Sequence, residues 1–168
     1  MKIAVEVVWF GAGLKARLFS VRLPDQVETE TTRFFNRMLL DARYESDERF
    51  GAALRRLLDW LDRIARLEGA LLRLFRTGEG AGQALPIDKG PFRLYCYRLD
   101  DRNLLLCGGG LKTAQTVQES PDCLPHFTLM NHVVRALRRN HLGPERLPTN
   151  ATQAYVLDLD IPADEYPG

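Results

Sequence analysis

Four consecutive apolar residues, Leu104, Leu105, Leu106 and Cys107, run directly into Gly108, Gly109 and Gly110, and this stretch limits the fold more than any other. A strand with one wet face alternates apolar and polar side chains. An unbroken apolar run therefore belongs to a central strand buried on both sides. The glycines mark a bulge or a sharp exit from that strand, where a chain re-aims its next side chain, here Lys112. A phosphate loop of the form GxxxxGK[ST] is excluded, because Leu111 separates Gly110 from Lys112 and no earlier glycine has the right offset.

Upstream of this strand the period is two. Phe92, Leu94 and Cys96 point one way, and Arg93, Tyr95 and Tyr97 the other, so one face packs on helices while the opposite face carries cations and aromatics. "LDDRN" makes the turn between the two strands, and Asp100 and Asp101 are read as turn formers. The N-terminus reads as two strands joined by a turn containing Gly11 and Gly13. Phe34, Phe35, Met38 and Leu39 then form a first helical stripe, with Thr29 placed to cap it. A second helix starts at Ser46–Glu48 and carries apolar residues at steps of three and four from Phe50 to Phe75, with Gly69 able to bend or break it. "RTGEGAGQALP" is a loop by composition. After Cys123 a third helix presents Phe127, Met130, Val134 and Leu137 on one face and Arg135, Arg138 and Arg139 elsewhere. "AYVLDLDI" suits a short strand, and "PADEYPG" a loose acidic end.

The expected fold is a single α+β unit over residues 1–148, followed by an acidic C-terminal extension over 149–168. Net charge is only +1, yet all 23 basic residues and 18 of the 22 acidic ones lie before Thr149, which makes the body +5 and the extension −4. Arginine outnumbers lysine nineteen to four, a bias that suits bidentate phosphate contact. The three cysteines, Cys96, Cys107 and Cys123, have no CxxC spacing, and His126, His132 and His141 do not share one helical face. Neither a disulfide framework nor a metal site is indicated, and no cofactor is expected. No apolar run reaches the ~18 residues of a membrane span, and no signal-peptide pattern opens the chain, so a cytoplasmic location is expected.

The order of a helical segment, "LLRLFR", a glycine-bearing loop and "FRLYCYRLDDRNLLLCGGGLKT" resembles the RelE/ParE superfamily of bacterial toxins, particularly its HigB-like branch. The resemblance is clear over about residues 70–118. It implies a small βααβββ-type fold whose twisted antiparallel sheet, packed against two or three helices, has an open basic face. That face cleaves translated messenger RNA without metal, through the neighbouring ribose 2′-hydroxyl. Arg93 would bind the scissile phosphate, Lys112 would stabilise charge or supply a proton, Arg76 would complete the clamp, and Tyr95 would stack on a base or donate its hydroxyl proton. Arg73, Tyr97 and His126 would contact the RNA, with His126 also a weaker candidate acid. The implied partners are mRNA on the ribosome and a helix-turn-helix antitoxin. Relatives similar to ParE instead bind DNA gyrase without a catalytic face, and a repurposed interaction module is a further alternative. Thr113 stands where many HigB-like chains carry a second lysine, and the extra N-terminal strand and the acidic extension lie outside the pattern.

Overall fold

A computed structural model describes residues 1–77 and 80–167. It is an α+β fold built on one six-stranded mixed sheet: β1 (Lys2–Ala12), β2 (Arg17–Arg22), β3 (Gln83–Leu85), β4 (Phe92–Asp100), β5 (Asn103–Leu111) and β6 (Ala154–Asp160), in the spatial order β3-β4-β5-β2-β1-β6. The sheet is larger than expected and is not wholly antiparallel, since β2 runs parallel to β5. The wholly apolar run sits where its composition requires, in β5 between β4 and β2, with Leu104 to Cys107 all fully buried.

The expected bulge is present, and the sharp exit is not. Leu94 pairs with Gly109 but Cys96 pairs with Leu106, so β5 carries one extra residue around Cys107 and Gly108 and then continues to Leu111. The glycines serve close approach. A Cβ on Gly108 would meet the His126 ring, one on Gly109 the Arg93 carbonyl across the ladder, and one on Gly110 the backbone of Asp122.

Two cores divide the sheet residues by strict alternation. Leu18, Leu94, Cys96, Leu104 and Leu106 pack under α1 (Glu30–Leu39) and α3 (Glu48–Arg63), which a short α2 (Arg43–Ser46) joins. Phe19, Tyr95, Leu105 and Cys107 pack under α4 (Leu124–Arg139) on the opposite side. The open face expected for Arg93, Tyr95 and Tyr97 is therefore covered. Leu129, Val133 and Val134 of α4 need an apolar floor, and the tyrosine rings help to supply it.

Local chemistry sets the helix ends. The Thr29 side chain accepts from Thr32 N to cap α1, and Asp47 accepts from Arg49 N and Phe50 N to cap α3. The second helix does not run on to Phe75 as its stripe suggests. It widens into a π turn over Ile64–Glu68 and stops at Gly69, whose φ of 81° suits glycine. The Ala65 carbonyl in that turn accepts from both Lys15 N and Ala16 N, so the widened turn anchors the β1–β2 connection.

The acidic extension belongs to the sheet. β6 pairs antiparallel with β1, and Leu157, Leu159 and Ile161 are buried in the core, while Asp158 and Asp160 face out. The final acidic segment is not loose, because Glu165 pairs with His132 of α4 at 2.7 Å. β6 lies at the sheet edge opposite β3, so this strand does not shield the candidate site, which adjoins β3 and β4. No described helix is long and apolar enough to cross a membrane.

Candidate functional site

Strand register brings the separated candidates together. Arg76 bridges to Ala84, Ala84 pairs with Tyr95, and Arg93 pairs with Gly110. Paired residues share a face, as do residues two apart on one strand, so Arg76, Tyr95, Arg93 and Lys112 all project toward the α4 side. They line one open cavity of about 100 Å³, roofed by Phe127, Met130 and Asn131 of α4 and flanked by Val117. One water needs about 15 Å³, so the space admits a phosphate with part of a sugar or base. Among the described residues no carboxylate lines it, which leaves Arg76, Arg93 and Lys112 as its charges.

Both arginines also hold backbone. Arg76 donates from Nε to the Pro86 carbonyl at 2.7 Å and from Nη2 to the Asp88 carbonyl at 2.6 Å. Arg93 donates from Nη1 to the carbonyls of Gly90 and Phe92, at 2.8 and 2.7 Å. The turn over residues 86–92 is thus wrapped by the two guanidiniums, and each fork is oriented before any ligand arrives. Lys112 is placed by its own backbone N–H, which donates to the Pro91 carbonyl at 2.7 Å. Its ammonium carries no ion pair among the described residues.

Tyr95 forms a wall of the cavity and does not reach out of it. It is only 4% exposed and meets Phe127 edge to face at 5.6 Å. A base cannot lie flat on so buried a ring, which does not fit the stacking role expected of it. Arg73 lies exposed on a 3-10 turn and does not line the cavity. Tyr97 sits one step further along β4, half-buried, with the Arg138 guanidinium 5.7 Å above its ring.

His126 stands apart from this cavity, in a second crevice with Glu28, Glu30, Arg33, Asn36 and Arg37. Its Nδ1 lies 3.8 Å from the Glu30 carboxylate and its Nε2 3.4 Å from Arg37 Nη2. Desolvation first, and then the Arg37 charge, lower its pKa to about 4, so the imidazole is neutral at pH 7 and the approach to Glu30 is not an ion pair. Burial likewise raises the Glu30 carboxyl, against the opposing pull of Arg33. Arg37 fastens this cluster, donating to Asp122 at 2.5 Å and to the Gly109 carbonyl at 2.6 Å. Sequence reasoning missed Glu30 and Arg37, and also Asn131, which accepts from Ala81 N at 2.7 Å beside the first cavity. The glycine run was the available signal, because three successive residues without Cβ imply that other groups sit against that strand.

Comparison with protein-family models, with curated proteins and with solved structures returns no match for this chain.

Proposed function

We propose that the chain binds RNA in the cavity of Arg76, Arg93 and Lys112 and cleaves it without metal, as a RelE/ParE-type toxin of the HigB-like branch acting on translated messages in the cytoplasm. One observation carries the reading: three cations and a tyrosine, spread over 37 positions of the sequence, converge on a single cavity that no carboxylate among the described residues lines. The run from β2 through α1 and α3 to β3, β4 and β5 also follows the strand–helix–helix–three-strand order of that superfamily.

In this reading the scissile phosphate lies between Arg93 and Lys112. The 2′-oxygen attacks phosphorus, the bond to the 5′-oxygen of the next nucleotide breaks, and the products are a 2′,3′-cyclic phosphate and a 5′-hydroxyl. Fixed cations stabilise the charge that grows on the phosphorane oxygens without reorganising at the moment of reaction. Lys112 delivers a proton to the departing 5′-oxygen, and the 2′-hydroxyl proton leaves to solvent. A helix-turn-helix antitoxin would be the neutralising partner.

A second reading is binding without cleavage, to RNA, to DNA gyrase or to another partner. It is favoured by the absence of a carboxylate or imidazole base among the described lining residues, His126 being elsewhere. The deciding experiment incubates the purified protein with end-labelled RNA, alone and on translating ribosomes, and looks for cyclic phosphate ends. Cleavage that disappears in Lys112→Ala supports the enzyme. Intact RNA with inhibited DNA supercoiling supports the gyrase reading, and intact RNA with retained RNA binding supports a binding module.

A further inference from the structure

Helix α4 roofs the cavity with its first half and leaves it with its second. Asn131 lies four residues beyond Phe127, Arg135 four beyond that, and Arg138 seven beyond Asn131, so the four form one stripe along the helix. Phe127 and Asn131 line the cavity, whereas Arg135 and Arg138 are exposed. Neither arginine pairs with a carboxylate among the described residues. The floor continues in step: Tyr97 follows Tyr95 on the same face of β4, and the Arg138 guanidinium lies over its ring at 5.7 Å.

The outer side of this strip is unwalled. β3 pairs only with Leu94–Cys96, so among the described residues no strand ladder continues on the outer edge of β4 from Tyr97 to Asp100, where β5 is the sole neighbour on the inner edge. Arg98 is held there by Asp101 at 3.1 Å and by its own N–H on the Gln83 side chain.

We infer that Tyr97, Arg135 and Arg138 form a track for single-stranded nucleic acid leading out of the cavity. This rests on the RNA reading of the cavity for the position of the strand's other end. Tyr95 to Tyr97 is about 7 Å along β4, close to one nucleotide step of an extended strand, and Arg135 to Arg138 is about 4.5 Å along α4, a separation the long arginine side chains can extend to the same step. The two arginines meet successive phosphates, and the Tyr97 ring with its overlying guanidinium takes one base. A cationic groove interleaved with aromatic faces is how proteins hold single strands without reading their sequence. The opposite flank of α4 lacks this character, since His132 there pairs with Glu165, and Arg139 lies two turns along that flank.

The test measures binding of a labelled twelve-nucleotide RNA and of a dinucleotide over a range of salt. The Arg135→Ala/Arg138→Ala double variant should lose more than tenfold in affinity for the long RNA and less than twofold for the dinucleotide. The slope of log affinity against log salt should fall by about 1.4, for two lost phosphate contacts. Tyr97→Leu should weaken the long RNA with no change in slope, and Arg139→Ala should alter neither. Unchanged affinity and slope in the double variant, with a wild-type melting curve, overturn the track. Equal competition by polyglutamate overturns it too, by showing a polyanion surface with no use for bases. If Lys112→Ala binds and cleaves as wild type while the double variant loses long RNA, the cavity reading falls and the track stands.

Discussion

Glu30 and His126 stand 3.8 Å apart although they lie in the first turns of helices on opposite faces of the sheet. They meet where β2 ends at Arg22 while its parallel neighbour β5 runs on to Leu111, with α1 leaving to one side and α4 to the other. The Cys107 carbonyl in this gap accepts from Thr31 Oγ1 at 2.8 Å, and Ser20 Oγ donates to Thr31 Oγ1 at 2.7 Å. The gap is closed by side chains where a strand partner is missing.

Titration of His126 gives stability a pH dependence of defined sign. The unfolded chain protonates it near pH 6.5 and the native state only near 4, so between these values the unfolded state holds more protons. Stability is full above pH 6.5 and declines as the pH falls toward 4, by on the order of 3 kcal/mol from this group. Glu30 acts in the opposite sense, because its raised pKa lets the native state take up a proton above the ordinary 4.5. Urea melts from pH 7 to pH 4 should show a smaller decline for His126→Gln than for wild type. Parallel profiles would contradict this assignment.

Gly109→Ala places a methyl on the Arg93 carbonyl of the neighbouring strand, a contact only backbone movement can relieve. A loss of about 1–3 kcal/mol is expected from such overpacking, read as a lower denaturation midpoint at constant slope.

Arg76→Ala removes a guanidinium from the carbonyls of Pro86 and Asp88. The expected cost is about 1–3 kcal/mol, with faster amide exchange across residues 87–92. Lys112→Ala should change stability by less than about 0.5 kcal/mol. Equal losses in the two variants would show that Arg76 does not hold the turn.

Truncation after Gln153 removes Leu157, Leu159 and Ile161 from the core, each worth roughly 1.5–3 kcal/mol of burial. The sum is comparable to the net stability of a domain, about 5–15 kcal/mol. Circular dichroism should report loss of cooperative unfolding. A truncated protein that still unfolds cooperatively at the wild-type midpoint would show that β6 is dispensable to the core.

The parts of the fold legible in the sequence are those a local pattern specifies. Alternation from Phe92 to Tyr97 assigned the faces of β4, the apolar run placed β5 centrally, and Thr29 and Asp47 marked helix starts. The cover over Arg93 and Tyr95 was not legible, because a tyrosine suits a wet face and a packed one equally. Nor was the Glu30–His126 contact, made across 96 positions by a carboxyl that falls on the apolar stripe of its own helix, four residues before Phe34. For the cavity, alternation carried Arg93 and Tyr95 to a shared face, whereas Arg76 arrived through a bridge to Ala84 that no local period encodes.

The parallel seam between β2 and β5 has a consequence for the order of assembly. Hairpins β1–β2 and β4–β5 close through short turns, whereas Arg17 and Asn103, partners on the seam, are 86 residues apart in the chain. Ring closure on that scale is slow, so the seam is expected to form after each hairpin has closed, and β6, whose Asp160 pairs with Lys2 across 158 positions, faces a longer closure still. Until then the all-apolar strand has one naked edge, and this is the moment at which the polypeptide is most exposed to capture by a neighbour.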